Sequence, residues 1–191
     1  MPRRYSVRLT ISCLTFLTGP YGHLTKNPLR YEAVVLVSAG IGVTPMISIL
    51  RYYFLYNVSS HVALGTPIHL AKHIFFVWTI PDMGVYEMFR DQITWCHERS
   101  GSEGFPQLHV QIYVTKQDGA KAEEFGLRDG DVITKRPDMK AVLQGVKEHR
   151  IPRTAVLMCG PKLLANATHS AVVELSDGDV LFDYHHETFE F

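Results

Sequence analysis

The chain lacks a charge surplus: Lys+Arg 19 cancels Asp+Glu 19, and no dense basic run stands out. Binding to a phosphate backbone relies on such a surplus, so no nucleic acid is expected as a partner. Cysteine is scarce. Cys13, Cys96 and Cys159 form no CxxC and cannot all pair, so a disulfide framework is not expected and a reducing compartment fits. An unbroken membrane-length apolar run is also missing. Ala33 to Leu50 carries no charge, but Ser38, Gly40, Gly42, Thr44 and Pro45 divide it into a strand, a turn and a helix start. No secretory signal is legible, because Arg3 and Arg4 are followed by Thr10, Ser12 and Thr15. Among 10 histidines, His69 and His73 are four apart and His185 adjoins His186. No cysteine or carboxylate joins them at ligand spacing, so no metal site is expected.

What is present suits one full hydrophobic core: 191 residues, 46% of them hydrophobic. Val7 to Thr18 reads as a strand closed by the turn Gly19-Pro20-Tyr21-Gly22. Ala33 to Ser38 is apolar on both faces, as a buried parallel strand is. Met46 to Tyr56 reads as a helix, with Thr44 as its cap and Pro45 at its first position. Further strands are expected at 73–79, 108–115, 154–159 and 180–184, and helices at 86–99, 137–149 and 162–174. Residues 116–135 are polar and Gly-rich and read as a loop. The string Gly126 to Ile133 looks like part of a peptide-binding module, but so short a connection has no room for one. Alternation of strand and helix implies an α/β fold: a doubly wound, parallel, five-stranded, Rossmann-like sheet in the order 3-2-1-4-5. Ligands of such sheets bind beyond the carboxyl ends of the strands.

Three groups of residues sit there. Gly40 and Gly42 let backbone N–H groups approach a phosphate at a helix start, although Pro45 departs from a full G-x-G-x-x-G pattern. A side chain at Gly42 is therefore expected to obstruct a pyrophosphate more than it disturbs folding. Cys159-Gly160-Pro161 ends the strand at 154–159 and opens a helix. Phe182, Tyr184, Phe189 and Phe191 give the chain an aromatic end, which either docks in an apolar groove or covers a flat ligand. Each group also has a plain structural reading: a tight turn, a small buried thiol, a docked tail.

Their order is more telling. Gly-Pro-Tyr-Gly at 19–22, Ala-Gly-Ile-Gly-Val-Thr-Pro at 39–45, Trp78, Lys-Arg-Pro at 135–137, Cys-Gly-Pro at 159–161 and His-Glu-Thr-Phe at 186–189 follow one another. Together they resemble the nucleotide-binding domain of the ferric reductase and NADPH oxidase family, within the ferredoxin–NADP reductase-like enzymes. The resemblance implies that Gly19, Pro20, Tyr21 and Gly22 lie beside FAD and the nucleotide. It implies that Gly40, Gly42, Val43, Thr44 and Pro45 hold pyrophosphate and ribose. Trp78 belongs to the same nucleotide-binding set. Arg136 and Pro137 match the adenosine end, and Cys159, Gly160 and Pro161 match the nicotinamide pocket. Phe189, or Phe191 beyond it, matches the aromatic ring that stacks on flavin and yields to nicotinamide. Cys159 would shape that pocket rather than act as a nucleophile.

The family's implied function is hydride transfer from NADPH or NADH to FAD, with electrons then crossing a membrane through haem to ferric iron or oxygen. The implied partners are the flavin domain and the haem-bearing membrane region of the same protein. The implied location is the cytosolic side of a membrane, as the soluble tail of a multi-pass protein. Two departures stand out. No Arg follows Trp78 in Thr79-Ile80-Pro81-Asp82, which weakens a preference for NADPH. Too few residues precede Gly19 to form a flavin barrel. Residues 1–29 are accordingly expected to be the end of a flavin domain with its connector, and 30–191 the nucleotide domain. Such a piece alone is expected to be inactive. A non-catalytic interaction domain on the same scaffold, using 116–135 as its contact surface, is the alternative.

Overall fold

A computed structural model describes residues 31–55, 71–117, 119 and 121–187. The turn at 19–22, the strand at 7–18 and the aromatic residues Phe189 and Phe191 lie outside the described residues. Six strands form one parallel sheet: β1 (Ala33–Ala39), β2 (His73–Ile80), β3 (Gln107–Val114), β4 (Val132–Ile133), β5 (Arg153–Cys159) and β6 (Leu181–Glu187). Their spatial order is β4-β3-β2-β1-β5-β6. The five strands expected to form the sheet are present in the expected order. The sixth, β4, adds to the edge beside β3.

β1 shows why the sheet is doubly wound. Its side chains alternate between two cores because successive residues of a strand point to opposite faces. Val34 and Leu36 join Met46, Leu50 and Phe54 of α1 (Val43–Leu55) and Ile93 and Cys96 of α3 (Arg90–Arg99). Ala33, Val35 and Val37 join Leu143 of α4 (Met139–Lys147) and Val172 of α5 (Lys162–Leu175). Each large apolar side chain buried this way contributes about 1.5–3 kcal/mol relative to exposure.

Three local expectations need correction. The helix expected at 86–99 is two helices, α2 (Met83–Glu87) and α3, because Phe89 leaves the helical region at φ −125° and ψ 6°. Its ring packs edge-on against Trp78 at 5.9 Å between centroids. The helix α1 starts at Val43, directly after a 3-10 turn at Gly40–Gly42. Thr44 therefore sits inside the first turn, and its hydroxyl donates to the Ile41 carbonyl oxygen at 2.9 Å rather than capping the helix. The segment 116–135 is more than a loop. A 3-10 turn, Ala122–Phe125, ends at Gly126 in the left-handed region, and the chain then pairs with β3 as β4. The Ile112 amide donates to the Asp131 carbonyl oxygen at 2.7 Å to start that pairing.

Among the described residues, no helix is long and apolar enough to cross a membrane. Cys96 and Cys159 are both buried, and no disulfide joins them. Burial pushes the Cys96 thiol up to about 12, so no thiolate is available there.

Candidate functional site

The two Gly-containing turns meet at the carboxyl edge, where the crossovers reverse direction between β1 and β5. Parallel pairing sets Ser38 opposite Cys159. Beyond that pair, each turn packs its glycine against the other. A Cβ on Gly42 would lie 2.6 Å from the Cys159 carbonyl oxygen and 3.1 Å from its Sγ. A Cβ on Gly160 would lie 3.2 Å from the Ala39 amide nitrogen. The close approach of the two turns thus has no room for a side chain at Gly42.

Gly40 differs. It takes a left-handed φ of 52°, and a Cβ there would meet nothing within 4 Å. The openness expected of Gly42 belongs to Gly40, and Gly42 is a packing glycine. Trp78, fully buried on β2, donates from its indole Nε1 to the Gly40 carbonyl oxygen at 2.9 Å. β2 continues past Trp78 to Ile80. Trp78 is therefore a support beneath the turn. Val43 and Cys159 are likewise buried in the core, whereas Thr44 is exposed and Pro45 and Gly160 are half-buried.

Two helices begin at these turns. Neither α1 nor α5 has an acidic residue in its first turn, and Pro161, at the N-cap of α5, offers no side-chain acceptor to the first amides. Two helix starts with positive partial charge and no competing carboxylate make this edge receptive to an anion. Two large apolar side chains, Ile41 and Leu163, stand 69% and 76% exposed on these same segments. Neither is legible as a site residue in the sequence, because an apolar residue between glycines or at a helix start resembles ordinary packing.

The basic end lies farther along the edge. Arg136 is exposed just after β4, next to Pro137 and to Asp138, whose carboxylate caps α4. β4 is three strands from β1, about 14 Å at the usual strand spacing. Between them the segments after β2 and β3 are zipped together, with the Lys116 amide donating to the Pro81 carbonyl oxygen at 2.9 Å. Exposed Lys116 thus stands beside the Thr79–Asp82 segment that lacks an arginine. It was missed because its position depends on the pairing of β2 with β3. The Asp82 carboxylate is engaged as the cap of α2, accepting from the Gly84 amide at 2.9 Å. At the other side of the site, β6 runs to Glu187, in register with Cys159.

A parallel, doubly wound sheet with two glycine turns interlocked at its switch point defines a nucleotide-binding domain of the α/β class. The chain belongs to the ferric reductase NAD binding domain family, whose profile matches residues 31–129. It is similar to NADPH oxidase 4 of Homo sapiens, 25% identical over 91% of this chain and 29% of that protein. It is also similar to NADPH oxidase 3 of Homo sapiens, 29% identical over 90% of this chain and 32% of that protein. Dual oxidase 2 of Rattus norvegicus is 34% identical over 59% of this chain. The chain thus spans under a third of the length of these oxidases.

Proposed function

We propose that this chain is the NAD(P)H-binding portion of a transmembrane ferric reductase or NADPH oxidase, exposed on the cytosolic side of the membrane. The observation that carries the reading is the interlock of Gly42 with Cys159 and of Gly160 with Ala39, which brings the start of the Gly40 turn and the start of α5, neither with a side-chain cap, to one anion-receptive edge. The pyrophosphate is assigned to the open backbone at Gly40 and the first turn of α1. The nicotinamide is assigned to Cys159, Gly160 and Pro161. Lys116, Lys135 and Arg136 supply positive charge toward the adenosine end. NADPH is the preferred nucleotide in this reading, supported by the relatives' names and by these three cations, although no arginine follows β2.

When bound, the nicotinamide supplies a hydride, and the FAD and haem of the neighbouring regions of the same protein carry its electrons onward to ferric iron or oxygen. The residues here bind and orient. Buried Trp78 and Val43 hold the turn, and Cys159 fills the space behind it. Gly19 to Gly22, Phe189 and Phe191 keep the roles implied by the resemblance: a turn beside flavin, and an aromatic ring that yields to nicotinamide. The alternative of a non-catalytic interaction domain gains no support, since 116–135 folds back into the sheet as β4.

Titration of the chain with NADPH and NADH, followed by calorimetry, tests the reading. Saturable binding to one site is expected, with NADPH weakened more than NADH in the double variant Lys116→Ala/Arg136→Ala. A folded chain that binds neither nucleotide overturns it.

A further inference from the structure

Three histidines from distant parts of the sequence meet at the amino edge of the sheet, opposite the nucleotide edge. His73 is the first residue of β2, His109 stands on β3, and His149 follows the end of α4. Pairing sets Phe75 opposite His109, so His73 and His109 are diagonal neighbours on one face. His73 Nδ1 and His109 Nε2 are 3.4 Å apart. One ring nitrogen from each of the three lies within 4.8 Å of the others.

The 3.4 Å separation has chemical meaning. Four ligands arranged tetrahedrally about Zn²⁺, each at about 2.0–2.1 Å, stand about 3.3–3.4 Å from one another. Two of the imidazoles already have that spacing. The third is on the exposed residue His149, whose side chain has freedom to close the remainder. Phe75 backs the group: its ring stacks on His109 at 4.5 Å and meets His149 edge-on at 5.1 Å. A cavity of about 190 Å³ opens beside His109 and His149, floored by Phe75 and Val77 and walled by Gly145 of α4. Among the described residues, no carboxylate or thiolate joins the three, so a fourth position stays free for water.

We propose that His73, His109 and His149 form a site for one Zn²⁺-class divalent cation, with three imidazole ligands and one exchangeable position. The ion would tie the end of α4 to β2 and β3, remote from the nucleotide edge. The proposal is independent of the nucleotide reading.

The test is titration of the metal-free 191-residue chain with Zn²⁺ against a chromophoric chelator, and with Co²⁺ followed by visible absorption. One ion per chain and a four-coordinate Co²⁺ spectrum are expected. His149→Ala, at an exposed position, should cost at least about tenfold in affinity, since even the loss of a ligand's hydrogen-bond partner costs that much. His109→Gln should do the same, while the exposed control His169→Ala should not. NADPH affinity should be the same in His149→Ala as in the parent. The proposal fails if the parent binds no Zn²⁺ at micromolar concentration. It also fails if His149→Ala and His109→Gln, both shown folded by circular dichroism, bind Zn²⁺ as the parent does.

Discussion

Trp78 and Gly40 are joined across two strands by a single hydrogen bond, from the indole Nε1 to the glycine carbonyl oxygen at 2.9 Å. Trp78 lies opposite Ser38 in the β1–β2 register, so the bond reaches forward from the strand to the turn. It fixes the carbonyl of a residue whose φ of 52° only glycine adopts readily. The turn is thereby held from below, and its upper side stays free.

Replacing Trp78 by Phe should keep most of the packing and remove that donor. The Gly40 carbonyl oxygen keeps the Val43 amide as a donor, so the variant loses one hydrogen bond, about 0.5–1.5 kcal/mol. A loss of unfolding free energy of that size, read from urea titration, together with weaker NADPH binding, is expected. Unchanged stability and unchanged binding would show that the bond does not hold the turn.

Gly40 and Gly42 should separate by variant. Gly42→Ala sets a Cβ 2.6 Å from the Cys159 carbonyl oxygen, so backbone must move, at a cost of about 1–3 kcal/mol. Gly40→Ala meets no neighbour and pays only for its left-handed backbone, about 1–2 kcal/mol. Thermal melts should rank Gly42→Val below Gly42→Ala. Nucleotide titration should show Gly40→Ala losing affinity out of proportion to its stability. The reverse ranking would return the phosphate role to Gly42.

Acid should loosen the junction of α5 with β6. The Lys147 ammonium, with the Val180 and Asp179 amides, holds the Asp177 carboxyl at about 2, below its ordinary 3.8. A depressed carboxylate stabilises the fold above its unfolded value, and the contribution is lost as pH falls from 3.8 through 2. Asp177→Asn keeps an acceptor for the two amides but gives up the charge. Denaturant midpoints should fall less steeply between pH 4 and 2 in the variant than in the parent. Parallel curves would remove Asp177 from the account.

The chain alone should bind NADPH yet not reduce ferric chelates at an enzymatic rate. Hydride transfer needs donor and acceptor held near contact, and the chain spans only 29% of NADPH oxidase 4. Stopped-flow oxidation of NADPH with added FAD and ferric citrate checks this. Robust turnover would mean that the chain holds flavin by itself.

Much of this was legible in residue order. The run Ala33-Val34-Val35-Leu36-Val37 is apolar at every position, which only a strand buried on both faces tolerates, so the centre of the sheet and its parallel sense were readable. The ordered glycine, Cys-Gly-Pro and Lys-Arg-Pro strings likewise marked the carboxyl edge before any coordinate. What stayed hidden depends on pairing between distant segments. β4 is two residues long, too short to carry a period, and exists because Ile112 and Tyr113 present an edge to it. Gly40 and Gly42 look equivalent in sequence; the 2.6 Å approach of Cys159 is what separates a packing glycine from an open one. His69 and His73 are four apart in the sequence, a helical spacing, yet His73 is the start of a strand. Its companions, His109 and His149, come to it through strand register and the length of α4. Local pattern determined which segments become strands and helices, because burial imposes a period on neighbouring residues. Which side chains then share a site was decided only when the sheet closed, because that depends on register, and register is a contact between residues far apart in the chain.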